Sequence, residues 1–122
     1  MSIELRSPSY YEPVTSAESA NLPQPDRDEI QIDQVLQALG EPVRLQILRA
    51  VADAPPEGVP CGEFPLPVSK STRTHHLRIL REAGVITSRS EGTRRMITLR
   101  REDLDTLYPG LLNGVLAAKV KD

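Results

Sequence analysis

Between residues 69 and 95 the chain gathers side chains suited to one kind of chemistry: Ser69, Lys70, Ser71, Arg73, Thr74, His75 and Arg78, then Arg89, Arg94 and Arg95. Short hydroxyls and imidazoles exchange hydrogen bonds at close range, lysine and arginine neutralise phosphate, and the arginine fork matches the major-groove edge of guanine. That mixture suits contact with a DNA backbone and its base edges. It does not suit catalysis. Ser71 and His75 stand one helical turn apart with no orienting carboxylate or oxyanion donors in the motif, and the glycines form no phosphate-cradling cluster. The chain is therefore expected not to be an enzyme.

The formal net charge of −2 conceals a segregation. Residues 69–101 hold nine lysines and arginines against Glu82 and Glu91, a net of +7, whereas residues 1–35 carry seven acids against Arg6 and Arg27, a net of −5. Screening limits attraction to about 8–10 Å, so the local cluster governs what the surface binds. A solvated face of mixed charge would interleave acids among those bases. With aromatic residues at 3%, no Trp and Phe64 as the single Phe, a base-stacking platform for single strands is disfavoured and double-stranded DNA is the expected partner.

The positioning elements follow from periodicity. Ser69 is placed as the N-cap of a helix that Gly84 ends. Helical spacing puts Arg73, His76, Leu77, Leu80 and Ala83 on its inner side and Ser71, Thr74, His75, Arg78 and Glu82 on its outer side. The adjacent imidazoles of His75 and His76 diverge and cannot chelate one metal. Val85 to Ser88 and Thr93 to Leu99 alternate as two strands around a turn at Ser90 to Thr93. The hairpin carries Arg89, Arg94 and Arg95, read as mutually repelling arginines opposed near a turn, a placement that suits phosphate or minor-groove contact.

Upstream, Ile30, Ile32, Val35, Leu36 and Leu39 predict a helix from about Asp28 to Gly40, and Pro42 opens a strongly apolar helix to about Ala54. Pro55 to Gly58 reads as a loop and Cys61 to Phe64 as a very short helical or turn segment, since Pro65 and Pro67 block its extension. Downstream, Leu104 and Leu107 precede a break at Pro109-Gly110, after which helical spacing continues to about Val120. The first and last helices carry Ile32, Val35, Leu36, Leu107, Leu111, Leu112, Val115 and Leu116, more apolar surface than a small domain needs, which predicts a partner there. The fold class is mainly α with a small β-hairpin, in the order α-α-α(short)-α-β-β-α, a winged helix-turn-helix. Residues 1–27, with four prolines and no apolar period, read as a flexible acidic N-terminal arm, and 28–120 as the domain. A lone Cys61, no signal-peptide pattern and no apolar run of about 18 residues make the cytoplasm the expected location, without a membrane partner.

Leu36-Gln-Ala-Leu-Gly-Glu-Pro-Val-Arg-Leu-Gln-Ile-Leu48 resembles the opening segment of the ArsR/SmtB family of bacterial winged-helix repressors. Residues 69–85 resemble that family's recognition helix, with the His-His-Leu and Leu-Arg-Glu-Ala-Gly pieces in register. Arg101-Glu-Asp-Leu-Asp105 before Tyr108-Pro-Gly-Leu-Leu112 is similar to actinobacterial members. The resemblance, over about residues 30–118, implies a homodimer joined through its first and last helices that binds palindromic operator DNA as a repressor.

Three departures stand out. Where metal-sensing members carry a cysteine pair, this chain has Val59-Pro-Cys-Gly-Glu-Phe64, with Pro60 and Gly62 at the thiol positions. No histidine follows His76 to build the zinc site of other members, so neither a metal nor a cofactor is expected. Arg73 stands where the family has a small aliphatic residue on the core-facing side, and can snorkel toward a phosphate. Two alternatives stay open: a winged-helix protein-interaction module without DNA binding, and a sensor of a small-molecule effector or metal that the sequence does not identify.

Overall fold

Pro42 and Gly84 bound the two helices around which the rest of the chain is arranged. The computed structural model describes residues 22–64 and 66–118. Most of the expected arm (1–21) and the expected end of the last helix (119–120) lie outside the described residues. The element order is α1 (Ile32–Leu39), α2 (Pro42–Ala52), β1 (Val59–Pro60), α3 (Lys70–Ala83), β2 (Ile86–Glu91), β3 (Arg94–Leu99), α4 (Arg101–Leu107) and α5 (Leu111–Ala117), with single 3-10 turns at Arg27–Glu29 and Cys61–Glu63.

Local chemistry accounts for the boundaries. The Glu41 side chain caps α2 by accepting from Arg44 N at 2.9 Å, and Pro42 fills the first turn, where no N–H is needed. Ser69 Oγ accepts from Thr72 N at 3.2 Å to cap α3. At the far end Gly84 turns left-handed at φ 91°, and Val85 N donates back to Leu80 O at 2.9 Å. A Cβ on Gly84 would lie 2.6 Å from Ile30 Cγ1, so both conformation and space demand glycine there.

Val35, Ile47, Leu48, Leu80, Val85, Ile86, Leu104 and Leu112 are fully enclosed and form the centre of one core. Each such side chain contributes on the order of 2 kcal/mol of burial energy. The winged helix-turn-helix architecture expected from the sequence is present: five helices and a small antiparallel sheet among the described residues.

Four details differ from the sequence reading. The sheet has three strands, ordered β1-β3-β2, because Val59 and Pro60 pair with Ile97 and Met96. A two-residue edge strand ending in proline leaves no alternation to detect. The short third helix is a 3-10 turn. The first helix begins at Ile32, because a separate 3-10 turn and the extended residue Ile30 precede it. Residues 22–27, read as part of the arm, lie against the domain: Pro23 O accepts from Arg81 Nε at 3.0 Å, Pro25 O from Arg100 Nη1 at 2.6 Å, and Arg27 meets Asp103 at 2.6 Å.

Candidate nucleic-acid interface

The front of α3 is built by its cap. Ser69 Oγ also contacts Ser71 Oγ at 3.2 Å and Thr72 Oγ1 at 2.9 Å, so the hydroxyls at the helix entry form one linked group. Ser69, Lys70, Ser71, Thr74 and His75 are exposed and Arg78 is half-buried, while His76, Leu77, Leu80 and Ala83 are buried. The helix therefore presents a polar, donor-rich outer face over an apolar inner one, on the sides that the spacing indicated. Arg73 is half-buried, and its Nε is enclosed without a hydrogen-bond partner among the described residues.

In the hairpin each arginine occupies a different environment. Cross-strand partners are Arg89 with Met96, Ser90 with Arg95 and Glu91 with Arg94. This corrects the expectation of opposed arginines: a two-residue turn at Gly92 and Thr93 sets a register in which each arginine faces an uncharged or acidic residue. Arg94 is exposed at the tip. Arg89 shares a guanidinium nitrogen between Glu57 O and Glu91 Oε2, each at 3.2 Å. Arg95 folds onto the inner surface, donating from Nε to Ser88 Oγ at 2.8 Å and from Nη2 to Ser88 O at 3.3 Å. Burial lowers the Arg95 pKa, though a guanidinium keeps its charge at neutral pH.

Helix and hairpin meet at a small cavity of about 80 Å³ lined by Thr74, Leu77 and Arg81 of α3, Ser88, Arg95 and Ile97 of the sheet, and by Leu22 and Cys61. Thr74 and Arg95 thus border one cavity, at which the two basic elements adjoin. A further set of arginines, which the charge count does not separate from the rest, bonds to the chain itself. Arg81 is held by Pro23 O, and burial lowers its pKa. Arg100 grips Asp103 at 2.9 Å and Pro25 O. The hydrogen bond from Arg27, with help from Arg100, holds the Asp103 carboxyl below the ordinary carboxylate range. On α2, Arg44 donates to Ala38 O and Gln37 O at the end of α1, and Arg49 to Leu116 O and Ala118 O at the end of α5. The legible signal is two arginines inside a largely apolar α2; cations suit helix C-termini, where carbonyls lack partners.

Of the residues assigned to a dimer face, Ile32 and Leu36 are exposed by 42% and 51%, one turn apart on α1. Leu107, Leu111, Val115 and Leu116 are half-buried. Val35 and Leu112 are fully enclosed within the single chain, so they are core residues and not surface anchors. Among the described residues no helix is long and apolar enough to cross a membrane.

A model of the helix-turn-helix domain family matches residues 39–89, from the last residue of α1 into β2. An uncharacterized HTH-type transcriptional regulator of Bacillus subtilis, YceK, is 32% identical over 81 residues, which cover 65% of this chain and 80% of that protein. The chain belongs to the helix-turn-helix transcriptional regulators. A second uncharacterized HTH-type transcriptional regulator, from Methanocaldococcus jannaschii, is 37% identical over 65 residues, 49% of this chain and 67% of that protein. The crystal structure of a protein described as a possible transcriptional regulator for arsenical resistance shares the fold at a TM-score of 0.52 and 24% identity, covering 75% of this chain and all of the other. This regulator thus shares its winged architecture with that protein, and it belongs to a class of transcriptional regulators, not of enzymes.

Proposed function

We propose that this regulator binds duplex DNA in a sequence-specific manner as a homodimer and represses transcription from a palindromic operator. The observation that carries the reading is the exposed, donor-rich front of α3 standing beside the hairpin, the two elements meeting at the cavity that Thr74 and Arg95 border. Ser69, Lys70, Arg73, Arg89 and Arg94 hold phosphates and set register, while Arg95, bonded to Ser88, braces the hairpin behind them; Ser71, Thr74, His75 and Arg78 reach base edges, with Arg78 suited to guanine. The exposed pair Ile32 and Leu36 supports dimerisation through α1, with the half-buried leucines and Val115 of the last two helices alongside. A two-fold axis then spaces two copies of α3 by about 34 Å, one turn of the duplex.

Binding of a duplex selected by the protein from a random-sequence pool, compared with unselected duplex, tests the division of labour. Arg78→Ala is expected to narrow the gap between the two by about 1–3 kcal/mol, whereas Arg94→Ala weakens both alike. Equal losses on both duplexes for both variants would contradict the assignment. Leu36→Glu is expected to yield a folded monomer in sedimentation and to lower affinity for the selected duplex; a dimer unaffected by that charge would contradict the α1 interface.

A further inference from the structure

We propose that Arg44 and His76 form a proton-sensitive positioning pair that holds α3 against the corner between α1 and α2, and that protonation of His76 opens it. This rests on the DNA-binding reading of α3. His76 is 8% exposed, on the inner side of the helix directly after the exposed His75. Its Nδ1 lies 3.1 Å from Arg44 Nη1. A guanidinium only donates, so Nδ1 accepts, and the imidazole is neutral with its proton on Nε2. The same guanidinium donates from Nε to Ala38 O and from Nη2 to Gln37 O at 3.4 Å. One side chain therefore ties the last turn of α1 to the inner side of α3. The pair stands between the helix bearing exposed Ile32 and Leu36 and the helix assigned to the DNA.

Protonation of Nδ1 removes the acceptor and sets an imidazolium N–H against a guanidinium N–H at hydrogen-bonding distance. Arg44 must then leave His76, and α3 loses its tie to the α1–α2 corner. The groups acting on the imidazole are Glu41, whose charge favours the proton, and Arg44 and His75, whose charges oppose it. Glu82, one further acid on α3, borders with Arg44 the groove between α1 and α3, while the α1 residues lining that groove (Gln34, Gln37 and Ala38) are uncharged. Burial, the largest influence, lowers the His76 pKa from its ordinary 6.5. A folded-state value below the unfolded one means that the contribution of the neutral pair is complete above about pH 6.5 and is lost as pH falls through the lowered value.

The test follows the full-length protein from about pH 8 to 5 with three readouts: imidazole titration by NMR, amide exchange at residues 40–45, and affinity for a duplex selected from a random pool. His76 is expected to titrate below 6.5, with faster exchange and an affinity loss of about tenfold tracking the same midpoint. His76→Asn, whose Oδ1 replaces Nδ1 as a non-titrating acceptor, is expected to keep the neutral-pH affinity and lose the response, while His75→Asn retains it. An unchanged pH response in His76→Asn would overturn the proposal. So would exchange or affinity in the wild type that ignores the His76 titration, a comparison that stands even where the variant fails to fold. A protein that binds no duplex at neutral pH would defeat the DNA-binding reading instead, and the exchange profile would still decide whether the pair opens.

Discussion

The cations of this regulator divide into two sets whose sequence surroundings look alike and whose structural roles do not. Arg44, Arg49, Arg81 and Arg100 spend their N–H groups on the chain's own carbonyls, and Arg100 also on Asp103. They fasten α1, α5 and residues 23–25 to the body. Lys70 and Arg94 stand exposed at the front of α3 and the hairpin tip, with Arg73 and Arg78 half-buried between. The difference teaches that a local net charge is an upper bound on what a surface offers a polyanion. Arg81, Arg95, Arg100 and Arg101, all counted in the basic segment, have bonding partners inside the protein.

Substitutions within each set sharpen that contrast. The largest effect is expected for Arg100→Ala, whose side chain is 9% exposed: it leaves Pro25 O without its donor and Asp103 with Arg27 alone, and the unfolding free energy in urea should fall by about 2 kcal/mol. A variant as stable as the wild type would place Arg100 in the ligand-facing set. Acid unfolding probes the same contact from its partner. Because the folded Asp103 titrates below its ordinary 3.8, its contribution is complete above that value and fades as pH falls through the lowered one. Asp103→Asn should therefore flatten the stability profile at the acid end, and an unchanged profile would remove Asp103 from the account.

Next in size, Arg94→Ala should leave the urea midpoint within about 0.5 kcal/mol of wild type while lowering duplex affinity, the reverse of Arg100→Ala. The smallest effect belongs to Arg101→Ala. Its pair with Asp105 spans 3.7 Å between side chains 44% and 43% exposed, so stability should move by less than about 0.5 kcal/mol. A larger change in thermal unfolding would show that exposure alone does not separate the sets.

Much of this architecture is legible in the amino-acid sequence. The helix from Ser69 to Gly84 carries its own cap, its own stop and a clean two-sided pattern, three local signals that agree. The hairpin turn and the proline start of α2 were equally local. What escaped depends on contacts distant in sequence. β1 exists because Gly58, at φ 98°, packs where a Cβ would meet Ile97 O at 2.4 Å, letting Val59 reach β3. Arg95 and Arg94 are neighbours in sequence, yet strand alternation sends one onto Ser88 and leaves the other in solvent. Val35 and Leu112 share the spacing of the exposed apolar residues, and only the packing of α1 and α5 on the core separates them.

The central claim, that the front of α3 and the hairpin tip meet duplex phosphates, is tested most directly by the salt dependence of binding. Fluorescence anisotropy of a labelled selected duplex between about 50 and 200 mM potassium chloride should give a steep negative slope of log affinity against log salt, shallower by about two units in a Lys70→Ala, Arg94→Ala double variant. A slope near zero, or one that the double variant leaves unchanged, would contradict the account.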